Sequence, residues 1–129
     1  MEVKINTKEK FTVITPITPK LYDNLAEELK IACLNCLDSN IKNVILNLQS
    51  ITDVEPSAAD NIAALQQKFY DNNASFVICE LKPQLETIFD KLDLLDLLNI
   101  TPTESEAWDI VQIEEIEREL FDGEEEILN

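Results

Sequence analysis

The chain has no histidine and one glycine among its 129 residues, and each shortage excludes chemistry. Without imidazole there is no Ser-His-Asp triad, no Cys-His dyad, no histidine-ligated zinc and no imidazole proton shuttle. With Gly123 as the single glycine, no glycine-rich loop can cradle a phosphate or a dinucleotide. Long apolar runs are missing as well. None approaches the ~18 residues of a membrane helix, so no membrane insertion is expected. Met1-Glu2-Val3-Lys4-Ile5 lacks the basic region and apolar stretch of a secretion signal. Cys33, Cys36 and Cys79 are odd in number and show no disulfide-framework spacing, which fits a reducing compartment. The cytoplasm is the expected location. Bases are scarce: 10 against 26 acidic residues leaves a net charge of −16, a surface that repels nucleic acid and anionic membrane. No cofactor and no metal are expected. Composition points to a module that binds other proteins.

What is present suffices for one core. Hydrophobic residues make up 45% of the chain, and its length suits a single small domain. The charge is concentrated at one end. From Glu104 to Asn129 there are eleven acids and one base, Arg118, whereas the first 103 residues carry a net charge of only −6.

Strand-like and helix-like segments alternate along the body. Val3–Ile5 and Phe11–Thr15 read as a hairpin across a polar connection. Thr18-Pro19 reads as a helix start, with a hydroxyl cap followed by proline at the first helical position. Leu21, Leu25, Leu29, Cys33 and Cys36 then follow at helical spacing, and Asp38-Ser39-Asn40 ends the helix. Val44–Leu48 is a nearly continuous apolar run, typical of a strand covered on both faces. Pro56 opens a second helix with Ala58, Ile62, Leu65 and Phe69 on one face, and Ala74–Cys79 reads as the next buried strand. Pro83 opens a third helix with Leu85, Ile88, Phe89 and Leu92 inward, and Leu94–Ile100 is expected to hold a short final strand. Thr103-Glu-Ser-Glu106 is a capping-box pattern opening a last helix that runs to about Leu120, with Asp122–Glu126 as a frayed tail. This alternation predicts an α/β sheet with helices packed on it.

The order of these elements, and certain residues in them, resemble the STAS domain (sulphate transporter and anti-sigma-factor antagonist). The strongest stretch runs from Asn43 to Leu65, where an apolar strand leads through Ile51-Thr-Asp-Val-Glu-Pro-Ser-Ala58 into a helix. Leu25-Ala-Glu-Glu-Leu29, Pro83-Gln-Leu-Glu-Thr-Ile-Phe89, Leu94-Leu95 and Glu104-Ser-Glu-Ala107 support it. The resemblance implies a mixed sheet of about four to five strands packed with about four helices. It places a STAS-like domain at residues 1–111 and an acidic helical extension and tail at 112–129. It also implies a non-enzymatic protein that binds an anti-sigma factor or a switch-type kinase. An alternative is a STAS-type accessory or structural subunit of a transport or signalling complex. The family's switch is a serine or threonine directly after an acidic residue. Here the acidic position is Glu55 and the phospho-acceptor position is Pro56, which has no hydroxyl; the glycine that commonly follows is Ala58. The glycine and aspartate of the family's turn before the first helix are also missing from Pro19-Lys20-Leu21-Tyr22.

The expected partner-binding residues are therefore Asp53, Glu55, Pro56, Ser57, Ala58 and Asn61, on a strand-to-helix turn of the kind that carries binding surfaces in α/β sheets. Ser57 is the candidate for a displaced phosphorylation site, being near a helix N-terminus. Against that, Asp53, Glu55 and Asp60 would repel an added phosphate, and the three residues 55–57 also suit a plain helix start. Cys33-Leu-Asn-Cys36 has redox-pair spacing, but it falls inside a helix on the apolar stripe, where core packing explains it. The carboxylates of the last helix read as a solvated face. Trp108 and Tyr22 suit packing or a partner anchor. The stripe Ile110, Ile113, Ile116 and Leu120 suits either packing on the protein's own sheet or docking to a partner or a second copy.

Overall fold

The computed structural model describes residues 2–128, with side-chain surroundings for residues 2–120. Seven strands and four helices follow one another: β1 (Val3–Thr7), β2 (Phe11–Pro16), β3 (Lys20–Leu21), α1 (Asp23–Asn35), β4 (Asn43–Asn47), β5 (Asp53–Val54), α2 (Pro56–Asp71), β6 (Phe76–Cys79), α3 (Pro83–Lys91), β7 (Ile100–Thr101) and α4 (Glu104–Leu128). Five strands form a mixed sheet in the order β1-β2-β4-β6-β7. Only the β1–β2 hairpin is antiparallel; β2–β4, β4–β6 and β6–β7 run parallel. The mixed sheet with four helices is the architecture expected from the sequence.

Strands β2, β4 and β6 are buried along their whole length, which explains why they are mostly apolar, with Thr12, Thr15, Asn43 and Asn47 as buried polar exceptions. Their side chains alternate between two unequal layers. Ile14, Val44, Leu46, Phe76 and Ile78 pack against α1, α2 and α3 through Leu29, Ile62, Leu65, Phe69, Leu85 and Phe89. Phe69 and Phe76 meet with ring centroids 5.2 Å apart. On the other face Phe11, Val13, Ile45, Val77 and Cys79 pack against Ala107 and Val111 of α4. Each fully buried Leu, Ile or Phe contributes about 1.5–3 kcal/mol relative to exposure.

A chain with one glycine must close its helices by other means. Asn73 and Asp93 take the left-handed conformation, both with φ of 58°. The amide after each reaches back over the helix end: Ala74 to the Phe69 carbonyl, and Leu94 to the Phe89 carbonyl, each at 2.9 Å. These are Schellman-type ends, with short polar side chains in the position glycine usually takes.

Three elements differ from their sequence-based expectation, one being the last helix, which continues to Leu128 rather than ending about Leu120. The first helix starts at Asp23 rather than at Pro19. The Pro19 carbonyl accepts from the Thr52 and Asp53 amides, and the Leu21 carbonyl accepts from the Glu55 amide. These bonds draw Lys20-Leu21 into a parallel pair with Asp53-Val54, so Leu21 is a buried strand residue. The final strand is only Ile100-Thr101; Leu95–Leu97 form a 3-10 turn before it. Leu94 and Leu98 enter the core there while Leu97 stays exposed.

Helix α4 is fastened at both ends of its described part. At its start, Thr103 Oγ1 accepts from the Glu106 amide at 3.3 Å, as a capping box requires, and the Glu80 carboxylate takes the Glu104 amide at 2.8 Å. Further along, Arg118 donates to Asn43 Oδ1, Ser75 Oγ and Glu115 Oε1 at 3.0–3.2 Å. Asp122–Glu126, expected as a frayed tail, fall within the bounds of α4, and their side chains lie outside the described residues.

Candidate functional site

The turn from β5 into α2 is held by backbone and side-chain bonds that reach far along the chain. Beyond the β3–β5 pairing, Thr52 Oγ1 donates to the Pro19 carbonyl at 3.0 Å. Asp53 is half-exposed; its Oδ1 accepts from the Val54 amide and its Oδ2 lies 3.4 Å from Lys20 Nζ. The same ammonium sits 5.0 Å from the ring centre of Tyr22, which is exposed. An exposed ion pair of this kind contributes at most about 1 kcal/mol, so it orients the surface more than it holds the fold.

Glu55 is the extended residue before α2, and Pro56 occupies the first helical position, where the missing N–H costs nothing. Pro56 and Ser57 are both exposed. The Ser57 hydroxyl donates to Asp23 Oδ1 in the first turn of α1. Asn61 is half-buried one turn further along α2. Ala58 is fully buried with Ala59 in the core, so it sets the packing of the helix start and offers no contact surface of its own. The predicted residues Asp53, Glu55, Pro56, Ser57 and Asn61 thus share one turn and the adjoining helix, and Lys20, Tyr22 and Asp23 border them.

Those last three were not among the sequence-based candidates as a group. Nothing local marks them, because their place beside Asp53 and Ser57 depends on a pairing between segments 33 residues apart. The missing family glycine and aspartate at Pro19–Tyr22 mark that segment in the sequence, but not its neighbours across the β3–β5 pair.

A scan against protein families matches the model described as the STAS domain over residues 2–107. The chain belongs to the STAS domain family. Solved STAS proteins share its fold. A candidate anti-sigma factor antagonist from Thermotoga maritima superposes with a TM-score of 0.75 at 16% identity, covering 85% of this chain and 94% of that one. The unphosphorylated anti-sigma factor antagonist SpoIIAA of Bacillus gives 0.69 at 14%, covering 86% and 96%. The murine anion transporter Slc26a9 gives 0.68 at 14%, covering 84% of this chain and 18% of that one. At these identities the likeness is one of fold.

The remaining candidates in this STAS domain are structural in their surroundings. Cys33 and Cys79 are buried and Cys36 half-buried, all as free thiols. Burial pushes Cys79 up to about 12, with the Glu104 and Glu80 charges adding to it, and burial likewise raises Cys33 and Cys36. A redox or nucleophilic pair needs the opposite shift. Trp108 packs against Phe11 at 5.1 Å between ring centroids, and its Nε1 donates to Glu104 Oε2. Among the described residues, no group of three His, Cys, Asp or Glu could hold a metal ion, and no helix is long and apolar enough to cross a membrane.

Proposed function

We propose that this STAS domain is a non-enzymatic regulator in the cytoplasm that docks an anti-sigma factor or a switch-type kinase through the β5–α2 turn. Asp53, Glu55, Pro56, Ser57 and Asn61 form the docking surface, bordered by Lys20, Tyr22 and Asp23. The observation that carries the reading is the exposed pair Pro56-Ser57 at the start of a well-anchored helix, on a fold shared with anti-sigma factor antagonists. Pro56 stands where the family's phospho-acceptor hydroxyl would be. Regulation by phosphate at that position is therefore absent, and the protein acts as a constitutive or differently controlled antagonist. Ser57 is a poor substitute acceptor: its hydroxyl is engaged by Asp23, and a phosphate there would meet Asp23, Asp53 and Glu55.

The test is binding and phosphotransfer with a switch-type kinase and ATP. The wild-type chain is expected to bind without incorporating phosphate, whereas Pro56→Ser is expected to be phosphorylated and to lose affinity. Stoichiometric phosphate on Ser57 of the wild type would overturn the unswitched reading, and an Asp53→Lys, Asn61→Arg variant binding as tightly as wild type would overturn the surface. A second reading, an accessory subunit of a transport complex, is supported by the likeness to the Slc26a9 transporter. Co-purification with a membrane transporter instead of a kinase would favour it.

A further inference from the structure

The outward face of α4 carries an apolar stripe that the fold leaves uncovered. Ile113, Ile116 and Leu120 are 50%, 55% and 65% exposed. Spacings of three and four residues place them on one side of the helix, opposite Ala107 and Val111, which bury against the sheet. A helix packed on a sheet by one face normally turns polar side chains outward on the other, so this stripe departs from the usual pattern. It runs for roughly 10 Å, about two helical turns.

Among the described residues, the charged ones bordering it are acidic, and exposed Gln112 is the neutral one beside them. Exposed Asp109 lies one turn before Ile113, exposed Glu117 one turn after it, and exposed Glu119 on the other flank beyond Ile116. Arg118, the one base in the helix, faces inward and is occupied by Asn43, Ser75 and Glu115. An identical stripe on a second copy would bring the same carboxylates against one another, and like charges across an interface are unfavourable. An anionic membrane meets the same repulsion. A helix with apolar residues at matching spacing and lysine or arginine beside them satisfies both the stripe and its border.

We propose that the outer face of α4 docks a basic amphipathic helix of a partner protein. Its apolar side chains cover Ile113, Ile116 and Leu120, and its cations pair with Asp109, Glu117 and Glu119, in the helix-on-apolar-face mode of recognition. This stands independently of the β5–α2 docking surface.

The probe is a synthetic Leu/Lys amphipathic helix of about 18 residues, longer than the length at which isolated helices are marginal. Its fluorescence anisotropy is followed on titration with the full chain. An Ile113→Ser, Ile116→Ser variant is expected to bind about tenfold more weakly, with an unchanged melting temperature showing that the fold survives. Glu117→Lys, Glu119→Lys is expected to weaken it similarly, whereas Glu86→Lys, Asp90→Lys on α3 makes the same change in net charge and is expected to leave binding within twofold. Equal weakening by both charge pairs would show binding to net charge alone and overturn the proposal. So would an unaffected serine variant, or sedimentation of the wild type as a dimer that the serine variant dissolves.

Discussion

The Tyr70 hydroxyl donates to Glu114 Oε2 at 3.0 Å, and this one bond ties together helices that lie on opposite faces of the sheet. Tyr70 ends α2 and Glu114 sits in the middle of α4, so the bond passes around the short β7 edge. Asn99, just before β7, donates to the same hydroxyl at 3.3 Å. Burial, and then the Glu114 charge, raise the Tyr70 phenol above its ordinary range, which keeps it protonated and donating at neutral pH.

Tyr70→Phe is expected to destabilise the chain by about 1–2 kcal/mol, because it leaves Glu114 without a donor while Glu114 Oε1 is already buried and unpartnered. Urea unfolding of the two proteins reads the difference. A variant as stable as wild type would mean that Glu114 finds water there at no cost.

Glu115 supplies a pH dependence. Burial opposes its ionisation, but the Asn43 amide and the Arg118 guanidinium outweigh that and hold its carboxyl below the ordinary 4.5. A carboxyl held low in the folded chain stabilises it fully above the unfolded value and loses that contribution as pH falls through the folded one. The stability gap between wild type and Glu115→Gln is therefore expected to be widest near pH 7 and to narrow below about pH 4.5. Denaturation midpoints across that range measure it, and a gap independent of pH would assign the effect to packing rather than charge.

The thiols should differ in reactivity. Cys33 and Cys79 are buried with their ionisation disfavoured, whereas Cys36, at the end of α1, is half-buried. Iodoacetamide at pH 8 is expected to label Cys36 first and the other two only on unfolding. Mass spectrometry of timed digests resolves the order, and early labelling of Cys33 would contradict the packed core around α1.

Much of this fold is written in local pattern. Val44–Leu48 is apolar but for Asn47 because β4 is covered on both faces, and Pro56 and Pro83 each stand at the first position of their helices. What local pattern misses is structure made by distant bonds. Thr18-Pro19 carries a good helix-start signal, yet the Pro19 carbonyl is claimed by amides at Thr52 and Asp53, and the extended pair wins. Leu94–Leu98 is leucine-rich enough for strand or helix; the reach of Leu94 back to Phe89 decides for a turn. The candidate site divides in the same way. Asp53–Ser57 were visible as a strand-to-helix turn, while Lys20 and Asp23 joined them only through tertiary pairing. Ala58, which stands where the family commonly has glycine, is turned into the core.

The two layers around the sheet are unequal, three helices on one face and α4 alone on the other. The β5–α2 turn belongs to the first layer and the Ile113–Leu120 stripe to the second, with the sheet between them. Ligands at these two proposed sites would not compete for space, so saturating one would leave the stoichiometry at the other unchanged. A domain of this size can then serve as a tether, holding two different proteins at high effective concentration without either touching the other's contact residues.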